Sequence, residues 1–394
     1  MPQPLRFQVL AHDPSSSARV GRVETPHGAF ATPAFVPVAT RAAVRALAAS
    51  DLRTLDAEVV LCNTYHLFLR PGAETIAALG GLHGFMGWAA PIITDSGGYQ
   101  VFSLGAGQEA DELKGRRRGP AQPSLVRITE EGVEFRSPLD GARHFFTPEQ
   151  AIAVQHPLGA DILLAFDECT AYHHDYAYTR ASVQRTHRWA ERCLAYHRAS
   201  PHAERQALFG IVQGGVHRDL REQSAAFIGG LPFDGLAIGG SLGRTKQEWF
   251  QVVEWVIPQL PAERPRHLLG VGDVDDLVEG IARGVDWFDC ALPTRLARHG
   301  TLLGPWPAER WRLHLTRGEF ARDASPVDPT CDCLTCREHT RAYLHYLLRS
   351  GEATGWRLAT IHNLAFLLRL MRAARECIVA GRFAAWRAAV LGVG

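Results

Sequence analysis

Three aspartates stand where short apolar runs end: Asp95 closes residues 92–95, Asp167 closes 162–167 and Asp289 closes 287–289. An apolar run that stops on a polar residue reads as a buried strand presenting that residue at one end of a sheet. Asn63, Gln213, Gly239 and Gly240 end similar runs at 59–63, 208–213 and 236–240. With no histidine at these ends, the ligand set of a metal-dependent hydrolase is poorly represented. Two carboxylates on either side of an acetal-like carbon are instead what glycosyl transfer requires, one as nucleophile and one as proton carrier. Capping of a neighbouring helix is the plainer account of any single aspartate. Three at corresponding positions weaken it.

A second constellation is Cys331, Cys333 and Cys336, spaced C-x-C-x-x-C, while Cys62, Cys169, Cys193, Cys290 and Cys377 are scattered. Three clustered thiols in a chain with no secretion signal favour a metal over disulfides. The fourth tetrahedral position is open to His339, His345 or His362, and a Cys3His site of this kind is closed, structural and suited to zinc.

The elements that must position these residues follow from periodicity. Eight apolar runs, at 35–38, 59–63, 92–95, 162–167, 208–213, 236–240, 267–270 and 287–289, are mostly separated by amphipathic segments such as 42–55, 181–198, 247–257 and 274–283. Alternation of strand and helix argues a parallel sheet, and eight repeats argue an α/β fold of the (β/α)8 TIM barrel type, in which the C-terminal strand ends share one face. No G-x-G-x-x-G follows the first run, which speaks against an open dinucleotide-binding sheet. Two regions interrupt the repeat. After the third strand, residues 101–150 hold a Gly-, Pro- and Arg-rich stretch (105–123, with Arg116, Arg117 and Arg118) and then a predicted β-meander at 126–129, 133–137 and 143–146 with turns at Glu131-Gly132 and Asp140-Gly141. Thr147 and Gln150 read as the start of a helix. Leaving the catalytic end of a strand, this insertion is placed to act as a lid. The expected domains are residues 1–300 as the barrel with this insertion, 301–362 as a zinc-binding subdomain containing a helix at 341–349, and 363–394 as a helical segment completing the barrel, with a helix at 364–379.

Composition excludes several classes. With 394 residues, 46% apolar and 21% charged, the chain has ordinary globular make-up, neither disordered nor fibrous. The longest uncharged stretch, 75–94, is broken by Gly80, Gly81, Gly84, Gly87 and Pro91, so no membrane span is expected. A basic-then-apolar leader is absent, and a cytoplasmic protein is expected. Net charge is +1 but uneven: residues 295–394 hold 15 Arg against 8 acidic residues (+7), leaving 27 basic against 33 acidic (−6) in 1–294. A basic C-terminal quarter fits a polyanionic partner.

Several motifs together resemble a known family. Residues 95–100 read D-S-G-G-Y-Q, 62–72 C-N-T-Y-H-L-F-L-R-P-G, 166–170 F-D-E-C-T, 210–214 G-I-V-Q-G and 288–295 F-D-C-A-L-P-T-R. With C-x-C-x-x-C and the later His362-Asn363 pair, they resemble the bacterial-type queuine tRNA-ribosyltransferases, also called tRNA-guanine transglycosylases, over roughly residues 7–383. The resemblance implies that Asp289 is the nucleophile attacking C1′ of the wobble guanosine in a U-G-U anticodon, forming a covalent ribosyl-enzyme. It implies Asp95 as the general acid and base with Asn63 beside it, and Asp167 and Gln213 as readers of the base edge, helped by Gly239 and Gly240. Tyr99 is expected to stack on the base, Leu269 to lie over it, Arg295 and Arg298 to meet the anticodon loop, and Cys331, Cys333, Cys336 and His362 to hold one zinc ion. The implied partners are a tRNA, a 7-deazaguanine base and a second copy of the chain.

One stretch departs from the pattern. Where many relatives have Gly-Gly-Leu-Ala-Val-Gly-Glu, this chain has Gly239-Gly240-Ser241-Leu242-Gly243-Arg244, one residue shorter. That loop is expected beside the 7-substituent, with 7-aminomethyl-7-deazaguanine the expected incoming base and queuine the alternative. Leu269 stands where methionine is frequent, a volume-conserving change.

Overall fold

The computed structural model describes residues 3–105 and 126–393, so Arg116, Arg117 and Arg118 of the expected lid lie outside the described residues. All eight expected strands form one sheet, in the spatial order Ala34–Pro37, Trp287–Cys290, Arg266–Leu268, Gly235–Ile238, Ala207–Val212, Ile162–Leu164, Ile92–Thr94, Val60–Cys62. From the second strand to the eighth, sequential strands are neighbours, and the eighth pairs in parallel with the first, Asp289 opposite Val36, so the sheet is nearly closed, with the first and second strands at its two ends. Parallel pairing also joins Ile162 to Ile93 and Ala207. This is the strand order of the (β/α)8 class. Seven of the strands are buried at every residue. Parallel strands covered on both faces have that pattern. In the eighth, Asp289 alone is partly exposed.

The connecting helices start on side-chain caps. Asp175 accepts from Tyr178 N at the head of Tyr176–Arg198, and Thr245 with Glu248 forms a reciprocal capping box at Lys246–Val256. The expected helix 42–55 is a correction: only Ala49–Thr54 is helical. Ala42 (φ 55°) and Ala46 (φ 67°) lie in the left-handed region and cannot continue a right-handed helix. A three-stranded sheet, Arg6–His12, Arg19–Thr25 and Gly28–Thr32, precedes the repeat. Its first strand is nowhere fully buried, so no apolar run announced it. The meander follows the third strand as Val126–Ile128, Val133–Arg136 and Arg143–Phe146, antiparallel throughout, and Thr147 caps the next helix by accepting from Gln150 N.

Toward the C-terminus, Thr301–Leu303 pairs with Arg312–His314, and the helices Leu334–Glu338, Arg341–Ser350 and Ala353–Val379 follow. The last begins well before the expected residue 364, so His362 lies inside it. The residues form two compact units. One comprises Met1–Gln8, Val23–Ala29 and Leu61–Leu269, the other Val9–Arg22, Phe30–Val60 and Gly270–Gly394. Among the described residues, no helix is long and apolar enough to cross a membrane.

Candidate active site and metal centre

In the first unit, the loop after Ile92–Thr94 turns back on Val60–Cys62. Asp95 N donates to Cys62 O (3.2 Å), and the Asp95 carboxylate collects four donors: Asn63 Nδ2 (2.6 Å), Thr64 N (2.8 Å), Gln100 Nε2 (2.9 Å) and Gly97 N (3.3 Å). The next residue, Ser96, donates to Asp167 Oδ1 (3.3 Å), and Gln213 Nε2 donates to Asp167 Oδ2 (2.5 Å). Asn63, Asp95, Asp167 and Gln213, from four strand ends spread over 151 residues, are thus one connected polar group. Burial pushes the Asp167 carboxyl up to about 6, with the Asp95 charge adding to it and the Gln213 and Ser96 hydrogen bonds opposing it.

Gln213 is buried, and among the described residues its Oε1 has no hydrogen-bond partner. A buried amide oxygen left bare costs about 1–3 kcal/mol, which a donor from a ligand would recover. Gly240 stands against it: a Cβ there would lie 2.1 Å from Gln213 Oε1, and its φ of +78° already favours glycine. A Cβ on Gly239 would lie 3.0 Å from Gln213 Nε2 and 3.5 Å from a Leu269 methyl, so the two glycines leave open the space that the Asp167–Gln213 pair faces. Leu269 is half-buried, its N–H on Ile238 O. Tyr99, one residue into the helix Gly98–Gly105, is 40% exposed.

Two contributors in this unit were not read from the sequence. Gln100 closes the D-S-G-G-Y-Q motif and reaches back to Asp95. Arg221 is fully buried and spreads its guanidinium over four carbonyls: Gly215 (2.8 Å), Gly239 (2.9 Å), Ser241 (3.0 Å) and Val212 (3.2 Å). Burial pulls it down to about 9. Its signal was an arginine at the first of four apolar-face positions, 221, 224, 225 and 228, of the helix Arg218–Gly230.

In the second unit, Asp289 follows Trp287 and Phe288, both buried, and accepts from Gly270 N (3.3 Å). The helix Leu292–Arg298 starts three residues later. Arg295 is exposed; Arg298 is half-buried, its Nη1 donating to Thr294 O (3.1 Å). Burial and the charges of Arg45 and Arg295 lower its basicity. Arg45 and Arg295 thus both act on Arg298, and guanidinium groups gathered in this way suit an anion such as phosphate. Arg45, on the loop that replaces the expected start of the helix, is the member sequence reasoning missed.

The same unit gathers Cys331, Cys333, Cys336 and His362, all buried, with ligand atoms within 4.8 Å of one another. His362 Nδ1 lies 3.2 Å from Cys336 Sγ and 3.8 Å from Cys333 Sγ, while its Nε2 is 2.7 Å from Leu303 O. Ligand atoms around a tetrahedral zinc are separated by roughly 3.5–3.8 Å, and a second ring nitrogen held by a carbonyl fixes the ligating tautomer. The donor set fits zinc. His345 turns its Nδ1 to Leu315 O and His339 packs on Tyr343, so neither competes. Asn363 accepts from Leu303 N and donates to Pro293 O and Thr301 O, tying the helix after Asp289 to the metal cluster.

Comparison with known proteins agrees with the residues. The profile of the family described as queuine tRNA-ribosyltransferase matches residues 13–392. The chain is 52% identical to the queuine tRNA-ribosyltransferase of Roseiflexus sp. over 99% of its own length and 100% of that protein's. It is 47% identical to that of Acetivibrio thermocellus (97% and 96%) and 50% identical to that of Symbiobacterium thermophilum (98% and 91%). With the parallel eight-stranded sheet, the carboxylate group and the Cys3His cluster in place, this chain belongs to the queuine tRNA-ribosyltransferase family.

Proposed function

We propose that this chain exchanges the guanine at the wobble position of a U-G-U anticodon for a 7-deazaguanine, through a covalent aspartyl-ribosyl intermediate. The enzyme class, a pentosyltransferase acting as a tRNA-guanine transglycosylase in queuosine synthesis, follows from the family. The observation carrying the finer reading is the buried Asp167–Gln213 pair with its bare amide oxygen beside Gly239 and Gly240. An ionised carboxylate accepts the paired N–H donors of a guanine-like edge, and the amide offers one donor and one acceptor more.

A stacked base cannot enter such a pocket, so the nucleotide must flip out, and stacking on Tyr99 with the edge hydrogen bonds offsets a few kcal/mol of unstacking. Asp289 attacks C1′; the C1′–N9 bond breaks with its electrons on guanine, and Asp95 supplies the proton. The incoming base then returns a proton to Asp95, its N9 bonds C1′, and the Asp289 carboxylate leaves. Asn63 and Gln100 hold Asp95, while Arg295, Arg298 and Arg45 take phosphates of the loop. Leu269 lies against the base, with 7-aminomethyl-7-deazaguanine the preferred substrate and queuine the alternative. Cys331, Cys333, Cys336 and His362 hold one structural zinc. The setting is cytoplasmic and the working form a homodimer, which light scattering at micromolar concentration tests.

The deciding experiment incubates the protein with labelled guanine and an unmodified U-G-U anticodon hairpin. Label enters the RNA, and Asp289→Asn abolishes both exchange and a trapped RNA adduct. Exchange or adduct surviving in Asp289→Asn overturns the mechanism, and RNA binding without exchange in the wild type favours a binding-only role.

A further inference from the structure

We infer that His27, His83 and Asp161 form a second metal site, for a divalent first-row transition ion, in the first unit and away from the residues assigned above. His27 sits in the turn between Arg19–Thr25 and Gly28–Thr32, His83 in the short helix Gly81–Met86, and Asp161 directly before Ile162–Leu164. The three ligand atoms lie within 4.8 Å of one another. His27 Nδ1 is 2.8 Å from Asp161 Oδ1 and His83 Nε2 3.3 Å from Asp161 Oδ2; the carboxylate is fully buried and the imidazoles 44% and 12% exposed. The two rings are stacked, 3.6 Å between centroids and 18° apart, so their nitrogens face the same carboxylate side by side.

Each carboxylate oxygen already takes a backbone donor, Oδ1 from His27 N (3.3 Å) and Oδ2 from Ile92 N (2.9 Å), which fixes its plane. His83 Nε2 is shielded from solvent and directed at Asp161 Oδ2. Two imidazole nitrogens and one carboxylate oxygen, at about 2.0–2.2 Å from an ion, are separated by roughly 3.3 Å around a tetrahedral centre. The observed 2.8 and 3.3 Å, one to each carboxylate oxygen, lie within about half an ångström of that separation, and all three ligand atoms are within 4.8 Å of one another. Mixed nitrogen and oxygen donors favour zinc, nickel or copper over magnesium or calcium. Asp161 opens the strand whose far end carries Asp167, six residues and roughly 20 Å of extended chain away, so the ion takes no part in base exchange. It staples the hairpin turn, the short helix and the strand start, and a water or an exogenous ligand completes its coordination through the exposed His27 side.

The test uses the full chain with its Cys3His site zinc-loaded. Added nickel(II) is followed by equilibrium dialysis with elemental analysis and by ligand-field absorption. We expect one further equivalent per chain and a rise in Tm on nickel addition. His27→Ala and His83→Gln should each weaken that binding at least tenfold and remove the Tm response, with retained circular dichroism and unchanged guanine exchange showing that they fold. Absence of a second equivalent at millimolar nickel, or its persistence in both variants, overturns the inference.

Discussion

Replacing Gly240 by alanine tests the base-edge geometry in one step. The new Cβ would sit 2.1 Å from Gln213 Oε1, where ordinary contact begins at 3.4 Å, so the amide must move by the difference, 1.3 Å. A shift of that size breaks the 2.5 Å hydrogen bond from Gln213 to Asp167. A bond to a charged group contributes about 1.5–3 kcal/mol, and the same donor and acceptor are lost to the base, a roughly 10- to 100-fold fall in kcat/KM for guanine exchange. Left-handed backbone adds about 1–2 kcal/mol of strain for any residue with a Cβ. Gly141 isolates that strain, since its φ is +74° and nothing lies within 4 Å of its Cβ position. Steady-state incorporation of labelled guanine, together with thermal melts, separates the two contributions. Gly141→Ala should lower Tm by a few degrees at most and leave exchange intact, whereas Gly240→Ala should lose both. Equal kcat/KM in the two variants would refute the placement of the base against Gln213.

Other outcomes follow from the same structure. Asp167 is raised to about 6 by burial, so the native state binds its proton more tightly than the unfolded chain does. Its contribution to stability is fully present below pH 3.8 and is lost as pH rises through about 6, and the ionised form that the proposed base recognition requires appears over the same interval. The KM for guanine should therefore rise as pH falls below about 6, and Asp167→Asn should remove that inflection. Arg298→Ala should weaken hairpin binding across sequences and reduce the slope of log affinity against log salt by about 1, measured by filter binding or anisotropy. Cys336→Ser should abolish stoichiometric zinc by elemental analysis and lower Tm, since a structural zinc contributes several kcal/mol to folding.

The strands were legible because burial on both faces leaves a continuous apolar run, and the residue ending each run fell where a strand end belongs. That is why Asp95, Asp167 and Gln213, far apart in sequence, were recognisable as one group. Less was legible where tertiary contacts override local preference. Residues 42–48 have helical composition, yet Ala42 and Ala46 take left-handed backbone that no sequence pattern marks. Spacing left three histidines equal as the fourth metal ligand; Leu303 O, 59 residues from His362, separates them. His27 and Asp161 are 134 residues apart, beyond the reach of any local pattern.

Arg221 carries a consequence for how base preference can change. Carbonyls from the C-terminal ends of two adjacent strands and the segments after them end on the same planar cation, so the backbone proposed to lie beside the 7-substituent is not an independent module. A longer or shorter graft at Ser241 would strand an oxygen and leave an uncompensated charge in the interior. Libraries that diversify this loop alone should yield mostly unstable proteins, and those randomised together with position 221 should recover folded ones with new selectivity. Adaptation to a different base would then proceed through paired replacements, one in the rim and one in the bolt beneath it.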